Sequence, residues 1–480
     1  MYYNNETKEN CMKKMKNWRP SASLLAGAAA LGLLVLLVPI VRIMRDAVPF
    51  SDDYGYGYFA KLGYLMGKNL PGVLMGVWEN VKHTWWTWQG TYSSIFLMSL
   101  VPLVWGEQYY FWGLLFILLL LIGGVFALVK ALVVDVLQGG WQQCLYIQAV
   151  TAALVVELMY YPAEGLFWYN GGIHYVGMHG FAMLLLASLI CLSEGKKGRI
   201  RNGLLIAASM ILSLIVAGSN YVTAFFVYSI GFYKNLAAPG NTARAEALGN
   251  PGMAPLQAIL FSFKEAFSHM WEYTGWMTIV VMLVLLPMIL QLVSTTKFRF
   301  RLPWLLPVWS VCLYATGFTS SLYSLGHGGV PRTLNAVKIT WQVLLVVNEI
   351  YLVGAIWQQR AGQKVLAADS LRGNFKWWVY PVLAVLAILV VKTCPNPVGT
   401  YVSYSAYYYV HTGDAYMYHQ QFLNRLDALK GEEKVLVFEP YAYQPWLIYV
   451  GDGNQFSNQG NNYLLERWYG KESVSVATTE

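Results

Sequence analysis

The sequence predicts an all-α polytopic membrane protein, with about nine to eleven transmembrane helices and a small α/β tail outside the membrane. Its 480 residues are 56% hydrophobic and only 12% charged, whereas soluble domains carry roughly 25% charged residues. Repeated apolar runs of about 18 or more residues are each long enough to cross a bilayer as a helix. The 19 Trp and 34 Tyr residues are typical of a protein with two membrane–water interfaces.

The charge and the cysteines argue against several other classes of protein. The net charge of +8 does not indicate nucleic-acid binding, because the basic residues cluster beside the apolar runs, as the positive-inside rule expects. The five cysteines are scattered, without Cys-x-x-Cys or Cys/His spacing, so neither a zinc site nor a disulfide framework is expected. No small-residue cleavage site follows the first apolar run, so we interpret it as a transmembrane helix and not as a removable signal peptide.

Nine of the apolar runs are expected to cross a cell membrane, and the charges beside them predict the orientation. Five basic residues precede the first run, which places the N-terminus in the cytoplasm and, after nine spans, the C-terminus outside. The basic loops between the spans also become cytoplasmic if residues 91–105 and 221–233 do not cross the membrane. If both of these segments crossed, the protein would have eleven spans. The nine predicted spans are 22–41, 109–134, 141–161, 178–193, 203–220, 276–294, 304–322, 334–358 and 377–394.

This orientation divides the chain into three regions: a cytoplasmic N-terminus (1–21), a transmembrane domain (22–394) with a first outer loop (42–108), and an extracytoplasmic C-terminal cap (395–480). Within the cap, residues 414–430 have helical periodicity, with Phe422, Leu426 and Leu429 on one face. Residues 434–438, Lys-Val-Leu-Val-Phe, are typical of a strand ahead of a Pro-containing loop. The cap is therefore expected to be a small α/β unit.

The polar and glycine-rich segments all fall on the predicted outer side. Residues 54–90 are too polar for a span and are expected to form amphipathic helices on the outer surface. A protein that only filled the membrane would have no reason to gather such segments on one side, so they indicate an extracytoplasmic site. The segments are 52–53, 88–94, 167–175, 218–221, 238–244 and 326–332.

Two adjacent carboxylates, Asp52 and Asp53, follow the first span directly. Glycines and tyrosines come next, and this composition predicts a turn that lines a cleft. Transfer of a sugar from a phosphate leaving group needs one base for the acceptor's proton, and the adjacent pair fits a base with an assisting group. We predict Asp53 as the base because it lies further from the membrane. The alternative is that both residues only begin the next helix.

Two arginines on the outer side, Arg244 and Arg332, each follow a Pro/Gly turn. A guanidinium binds phosphate oxygens in a bidentate manner, so both are candidates to hold a lipid-linked phosphate. The alternative is that they pair with Glu164 or Glu246.

An aromatic and glycine-rich segment supplies the candidate sugar- or acceptor-binding residues Trp168, Asn170, His174 and Tyr175. Aromatic rings stack on pyranose rings while the polar groups donate and accept hydrogen bonds, although an ordinary interfacial aromatic belt is the alternative. No cofactor is required by the sequence. A divalent cation, Mg²⁺ or Mn²⁺, held by the two aspartates is a further possibility, and a histidine-ligated metal is disfavoured.

These segments resemble a known class of enzyme. The acidic pair in the first outer loop resembles the hallmark of GT-C glycosyltransferases. Together with Trp88–Tyr92, Trp168–Tyr175, Ala238–Arg244 and Gln459–Gly470, it resembles a family of bacterial polytopic membrane proteins that is similar to the glucosyltransferase-type members. The resemblance implies a polyprenyl-phosphate-sugar donor, with transfer outside the cytoplasmic membrane. Where relatives tend to have Asn-Gly-Arg, this chain has Gln-Gly-Thr, so one basic contact is missing.

The leading hypothesis is an inverting membrane glycosyltransferase acting on an envelope glycan or lipid. The rival hypotheses are a transporter or flippase of lipid-linked glycans and a non-catalytic envelope assembly protein. A transporter would need ionisable groups deep within several spans, and only Glu157, Lys338 and Glu349 are candidates.

Overall fold

The computed structural model describes residues 20–195, 198–227, 252–362 and 378–477, and almost all of its regular structure is helical. It confirms an all-α polytopic membrane protein. Before the cap, the helices are α1 (Ala22–Ile43), α2 (Asp52–Gly67), α3 (Leu70–Thr87), α4 (Tyr92–Ser99), α5 (Glu107–Val136), α6 (Trp141–Glu157), α7 (Pro162–Leu166), α8 (Tyr169–Ser193), α9 (Arg199–Ala217), α10 (Tyr221–Val227), α11 (Pro255–Thr295), α12 (Leu305–Leu325), α13 (Pro331–Gly362) and α14 (Val379–Lys392).

Each of the nine predicted spans coincides with one of these helices. Among the described residues, seven helices are long and apolar enough to cross a membrane: α1, α5, α8, α9, α11, α12 and α13. The other two predicted spans correspond to α6 and α14, which have 17 and 14 residues. Residues 92–105 form α4 and a short 3₁₀ turn. Like α14, they make a shorter apolar helix, so the expectation that they do not cross stays a prediction.

A sharp break divides the longest helix, α11. Gly275 has a φ of 59° in the middle of this helix, a conformation that glycine adopts without steric cost. Residues 276–295 beyond the break match the predicted span 276–294, and residues 255–274 form a separate helical arm. The rings of Trp271 and Trp276 pack edge to face across the break, with centroids 5.4 Å apart.

The first outer loop contains a tight helical hairpin formed by α2 and α3. A Cβ on Gly63 would lie 2.0 Å from the carbonyl oxygen of Gly72, so only glycine permits this backbone approach. The prediction of helices over residues 54–90 agrees with this hairpin. The prediction of a turn at Asp52 and the following residues is wrong, because α2 begins at Asp52. Tertiary packing overrides the low helix propensity of the Gly/Tyr sequence.

The aromatic segment 167–175 is helical from Tyr169 onwards. Residues Ile173–Gly177 form a π-turn that joins the short helix Tyr169–Gly172 to the rest of α8. The span therefore begins about nine residues before the predicted start at 178. As a result, Asn170, His174 and Tyr175 lie on α8, and Trp168 immediately precedes it.

The C-terminal cap contains α15 (Val402–Thr412), α16 (Asp414–Lys430), β1 (Val435–Phe438), α17 (Gly460–Tyr469) and β2 (Ser473–Val476). The predicted helix 414–430 and strand 434–438 are confirmed as α16 and β1. The strands pair in parallel, with Leu436 opposite Val474, and both side chains pack against Leu429 of α16.

The cap is attached to the beginning and the middle of α2 and to the first residue of α5. Asn461 Oδ1 accepts a hydrogen bond from the Ser51 amide at 3.0 Å. Lys430 Nζ forms an ion pair with Glu107 Oε2 at 2.7 Å. Lys61 Nζ donates to the Trp468 carbonyl at 2.5 Å and lies 4.3 Å from the centre of the Trp468 ring. The two aspartates and the cap therefore lie at the same end of the helical bundle, which we call the cap side.

Candidate active site

A polar cavity of about 550 Å³ opens on the cap side. Six of the eight predicted site residues line it: Asp52, Trp168, Asn170, His174, Tyr175 and Arg332. The structure thus brings together residues that lie up to 280 positions apart in the chain. Of the remaining two, Asp53 lies behind the cavity wall and Arg244 lies outside the described residues.

Five parts of the fold build this polar cavity. The first turn of α2 and the start of α8 supply the acidic and aromatic side chains, and the first turn of α13 supplies Arg332. Helix α3 contributes Asn80, His83, Thr84 and Thr87, whose spacing of three and four places them on one helical face. The cap closes the cavity with residues of α17.

Asp53 is a buried anchor between three segments. Its side chain is 0% exposed. Oδ2 accepts hydrogen bonds from the Phe50 amide at 3.0 Å and from the Tyr110 hydroxyl at 2.7 Å, and Oδ1 accepts one from the Asn170 amide at 3.0 Å. Burial raises the pKa of Asp53 from 3.8 to about 7, and the hydrogen bonds oppose this shift. The carboxyl group holds the start of α2 against α5 and α8.

Asp52 is the member of the pair that faces the polar cavity. It is partly buried and occupies the first helical position of α2, where the helix dipole favours a carboxylate. Its charge acts on both Asp53 and Arg332. The geometry therefore favours Asp52 over Asp53 as the carboxylate that touches a ligand, and the base role that the sequence predicts for Asp53 remains a prediction.

Arg332 pairs with Glu164 and also lines the polar cavity. Its Nη1 lies 3.6 Å from Glu164 Oε2, and its guanidinium lies 5.7 Å from the centre of the Trp168 ring. Tyr175 and Asp52 also act on it electrostatically. A guanidinium has five N–H donors in a planar fork, and Arg332 lines the polar cavity, so the ion pair with Glu164 orients a group that also faces the cavity.

Asn170 presents a buried amide, unpaired among the described residues, at the cavity wall. Its side chain is 0% exposed, yet neither its amide oxygen nor its amide nitrogen has a hydrogen-bond partner within the described part of the chain. A buried polar group left unpaired costs about 1–3 kcal/mol. Because Asn170 lines the polar cavity, a ligand with a hydroxyl that both donates and accepts would satisfy this amide.

Contacts with neighbouring residues position the aromatic side chains at the wall of the polar cavity. Trp168 Nε1 donates to the Phe50 carbonyl at 3.0 Å, which ties the indole to the residue before the acidic pair. The rings of His174 and Tyr175 meet edge to face at 4.6 Å. These contacts fix the rings at the cavity rather than leaving them in a lipid-facing belt.

Sequence reasoning missed one cationic residue of the cavity, Arg467 of the cap. Its guanidinium lies 3.8 Å from the centre of the Tyr58 ring, and the side chain lines the polar cavity. The resemblance includes the segment that contains Arg467, but nothing in the sequence joins that segment to the first outer loop. The polar side chains of α3 that line the cavity were also missed.

An apolar groove of about 610 Å³ runs along the opposite face of α3. Trp78, Trp85 and Trp86 form one wall, and residues of α4, α8 and α9 form the other. Helix α3 therefore separates a polar cavity from an apolar groove.

A metal site was only a possibility on the sequence. In residues 20–195, 198–227, 252–362 and 378–477, no three His, Cys, Asp or Glu side chains are grouped to hold a metal ion. The carboxylate oxygens of Asp53 are already engaged in three hydrogen bonds.

Comparison of the chain with protein-family models, with curated proteins and with solved structures gave no match.

Proposed function

We propose that the protein is an inverting membrane glycosyltransferase. It would move a sugar from a polyprenyl-phosphate donor to a hydroxyl of an envelope glycan or lipid, on the outer face of the cytoplasmic membrane. One observation carries the proposal: a single cavity gathers the carboxylate of Asp52, the guanidinium groups of Arg332 and Arg467 and the unpaired amide of Asn170.

The two arginines suit a phosphate group. Arg332 comes from the transmembrane domain and Arg467 from the cap, and both line the polar cavity. Charge-assisted hydrogen bonds from guanidinium to phosphate are about twice as strong as neutral ones. As the sugar leaves the phosphate, negative charge grows on the bridging oxygen, and these cations would stabilise it.

Asp52 suits the role of general base. It would accept the proton of the acceptor hydroxyl while that oxygen forms a bond to the anomeric carbon of the sugar. The bond from the anomeric carbon to the phosphate oxygen breaks at the same time, and the electron pair leaves with the polyprenyl phosphate. Attack opposite to the leaving group inverts the anomeric centre. No general acid is needed because the phosphate leaves as a stable anion.

The remaining groups suit the sugar and the lipid chain. Trp168 offers an aromatic face, and Asn170 and His174 offer polar groups in the same wall. The apolar groove on the other face of α3 has three tryptophans along one side, and its chemistry matches an isoprenoid chain. A donor lying across α3 would place its phosphate at the arginines and its chain in the groove.

The test is sugar transfer by the purified full chain in nanodiscs, with a panel of polyprenyl-phosphate sugars. We expect wild-type transfer to be lost in Asp52→Asn and strongly reduced in Arg332→Gln and Arg467→Gln. Glu79→Gln is the matched control, because Glu79 is an exposed acid of α3 that pairs only with Lys82 among the described residues. Full transfer by Asp52→Asn would overturn the role of Asp52. Lipid movement across the bilayer without transfer from any donor would replace the enzyme with a flippase.

A further inference from the structure

A second cavity of about 560 Å³ lies apart from the polar cavity. It is bounded by the break in α11, by α13, by the end of α14 and by the segment that leads into the cap. We call it the lateral cavity. Because α14 ends at Lys392 and the chain continues directly into the cap, this cavity also lies towards the cap side.

The lateral cavity contains one group of each charge. Lys338 of α13 and Glu272 of α11 both line it. No ion pair within 4.0 Å joins them, although the charge of Glu272 acts on Lys338. Within the described residues, Lys338 has no hydrogen bond, and its nearest aromatic contact is the Tyr273 ring at 5.7 Å. An ammonium group with so few partners at membrane depth is costly, which points to a ligand.

The other walls are apolar and partly open to the bilayer. Leu386 and Leu389 of α14 are 39% and 49% exposed, and Trp276 of α11 is 63% exposed. All three line the lateral cavity. Acyl chains could therefore enter between α11 and α14 without crossing a polar barrier.

We propose that the lateral cavity binds a phospholipid with a phosphoethanolamine head group. Its phosphate would accept hydrogen bonds from Lys338, its ammonium would donate to Glu272, and its acyl chains would lie along α14. Two carbons separate the phosphate from the amine in this head group, which fits a carboxylate and an ammonium that share one cavity without direct contact. An anionic head group without an amine would leave Glu272 facing a negative charge.

This site does not depend on the proposed sugar transfer. Arg332 and Lys338 lie six residues apart in α13, so they point to different faces of the helix. One lines the polar cavity and the other lines the lateral cavity. The lipid can therefore be tested by binding alone.

The experiment is photo-crosslinking of the purified full chain with photoreactive phosphatidylethanolamine or phosphatidylglycerol, followed by peptide mapping and competition with unlabelled lipid. In the wild type, we expect phosphatidylethanolamine to label peptides of α11 and α14 and to bind more tightly than phosphatidylglycerol. Lys338→Gln removes the phosphate contact and should weaken both lipids about tenfold or more, as expected for loss of a charged hydrogen bond. Glu272→Gln removes the amine contact and should weaken phosphatidylethanolamine only.

Lys264→Gln is the control, because Lys264 is an exposed residue of the same helical arm that does not line the cavity. The wild-type comparison of the two lipids needs no variant, so it stands even if a variant fails to fold. Equal labelling by the two lipids, a preference for phosphatidylglycerol, or an equal effect of Glu272→Gln on both would overturn the proposal.

Discussion

The two adjacent aspartates should respond to the same substitution in opposite ways. Asp52→Asn changes a partly buried group that faces the polar cavity, so we expect it to abolish transfer and leave stability close to that of the wild type. Asp53→Asn changes a fully buried group that accepts three hydrogen bonds, so we expect it to alter stability and its pH dependence.

The magnitude follows from the hydrogen bonds and the pKa. An amide at position 53 has one oxygen, which can keep the two bonds from Phe50 and Tyr110. Its NH₂ group then faces the Asn170 N–H, which loses an acceptor that lay at 3.0 Å. The cost of this unsatisfied donor is about 1–3 kcal/mol.

The pH dependence has the opposite sign to that of an exposed ion-paired acid. The pKa of Asp53 is raised from 3.8 to about 7, so between these values the folded state binds more protons than the unfolded state. Wild-type stability should therefore fall as the pH rises from 4 to 7, by about 4 kcal/mol at 1.36 kcal/mol per unit. The asparagine variant lacks this titration, so its disadvantage at pH 4.5 should shrink or reverse at pH 7.5.

The assay is chemical unfolding of both variants and the wild type in nanodiscs, followed by tryptophan fluorescence at pH 4.5 and pH 7.5. Asp52→Asn should keep the wild-type pH dependence, which makes it the matched control. If the free energy of unfolding changed by the same amount between the two pH values in the wild type and in Asp53→Asn, the assignment of Asp53 as a buried anchor would be refuted.

Three other changes test the site and the fold. Replacement of Arg332 by Lys should keep part of the transfer that Gln removes, with the loss seen mainly as a higher KM for the donor, because lysine keeps the charge but not the planar fork; equal activity of both variants would contradict phosphate binding. Arg467→Gln should lower transfer about tenfold or more without loosening the helical bundle, whereas Lys61→Met should make the cap more sensitive to limited proteolysis. Gly63→Ala should lower the thermal unfolding temperature because its Cβ meets the carbonyl of the facing helix at 2.0 Å, and Gly123→Ala, where nothing lies within 4 Å, should leave that temperature unchanged.

The hydropathy pattern was sufficient to find the spans because burial in lipid demands apolar residues at nearly every position of a helix. The same reasoning was less successful where local propensity and tertiary packing disagree. The Gly/Tyr sequence after Asp53 is a poor helix former, but Gly57 approaches Val101 and Trp468 so closely that a side chain would not fit. The glycines therefore serve helix packing, which a local prediction of a turn cannot detect.

The sequence segments identified most of the candidate site residues, but they did not identify which residue has which role. Distance from the membrane suggested Asp53 as the base. In the structure the neighbouring residues point about 100° apart around α2, so one carboxylate turns towards α5 and α8 while the other turns towards the cavity. Which of them touches a ligand depends on packing between segments that are over 100 residues apart.

By itself, the sequence determined the class of the protein, the helical spans, one helix and one strand of the cap, and the side chains available for binding. These properties follow from local composition and periodicity. Only the tertiary structure decided that Asp53 is buried, that Arg467 of the cap joins Arg332 at one cavity, and that Lys338 shares a second cavity with Glu272. Those facts depend on contacts between distant segments, for which one sequence carries no local signal.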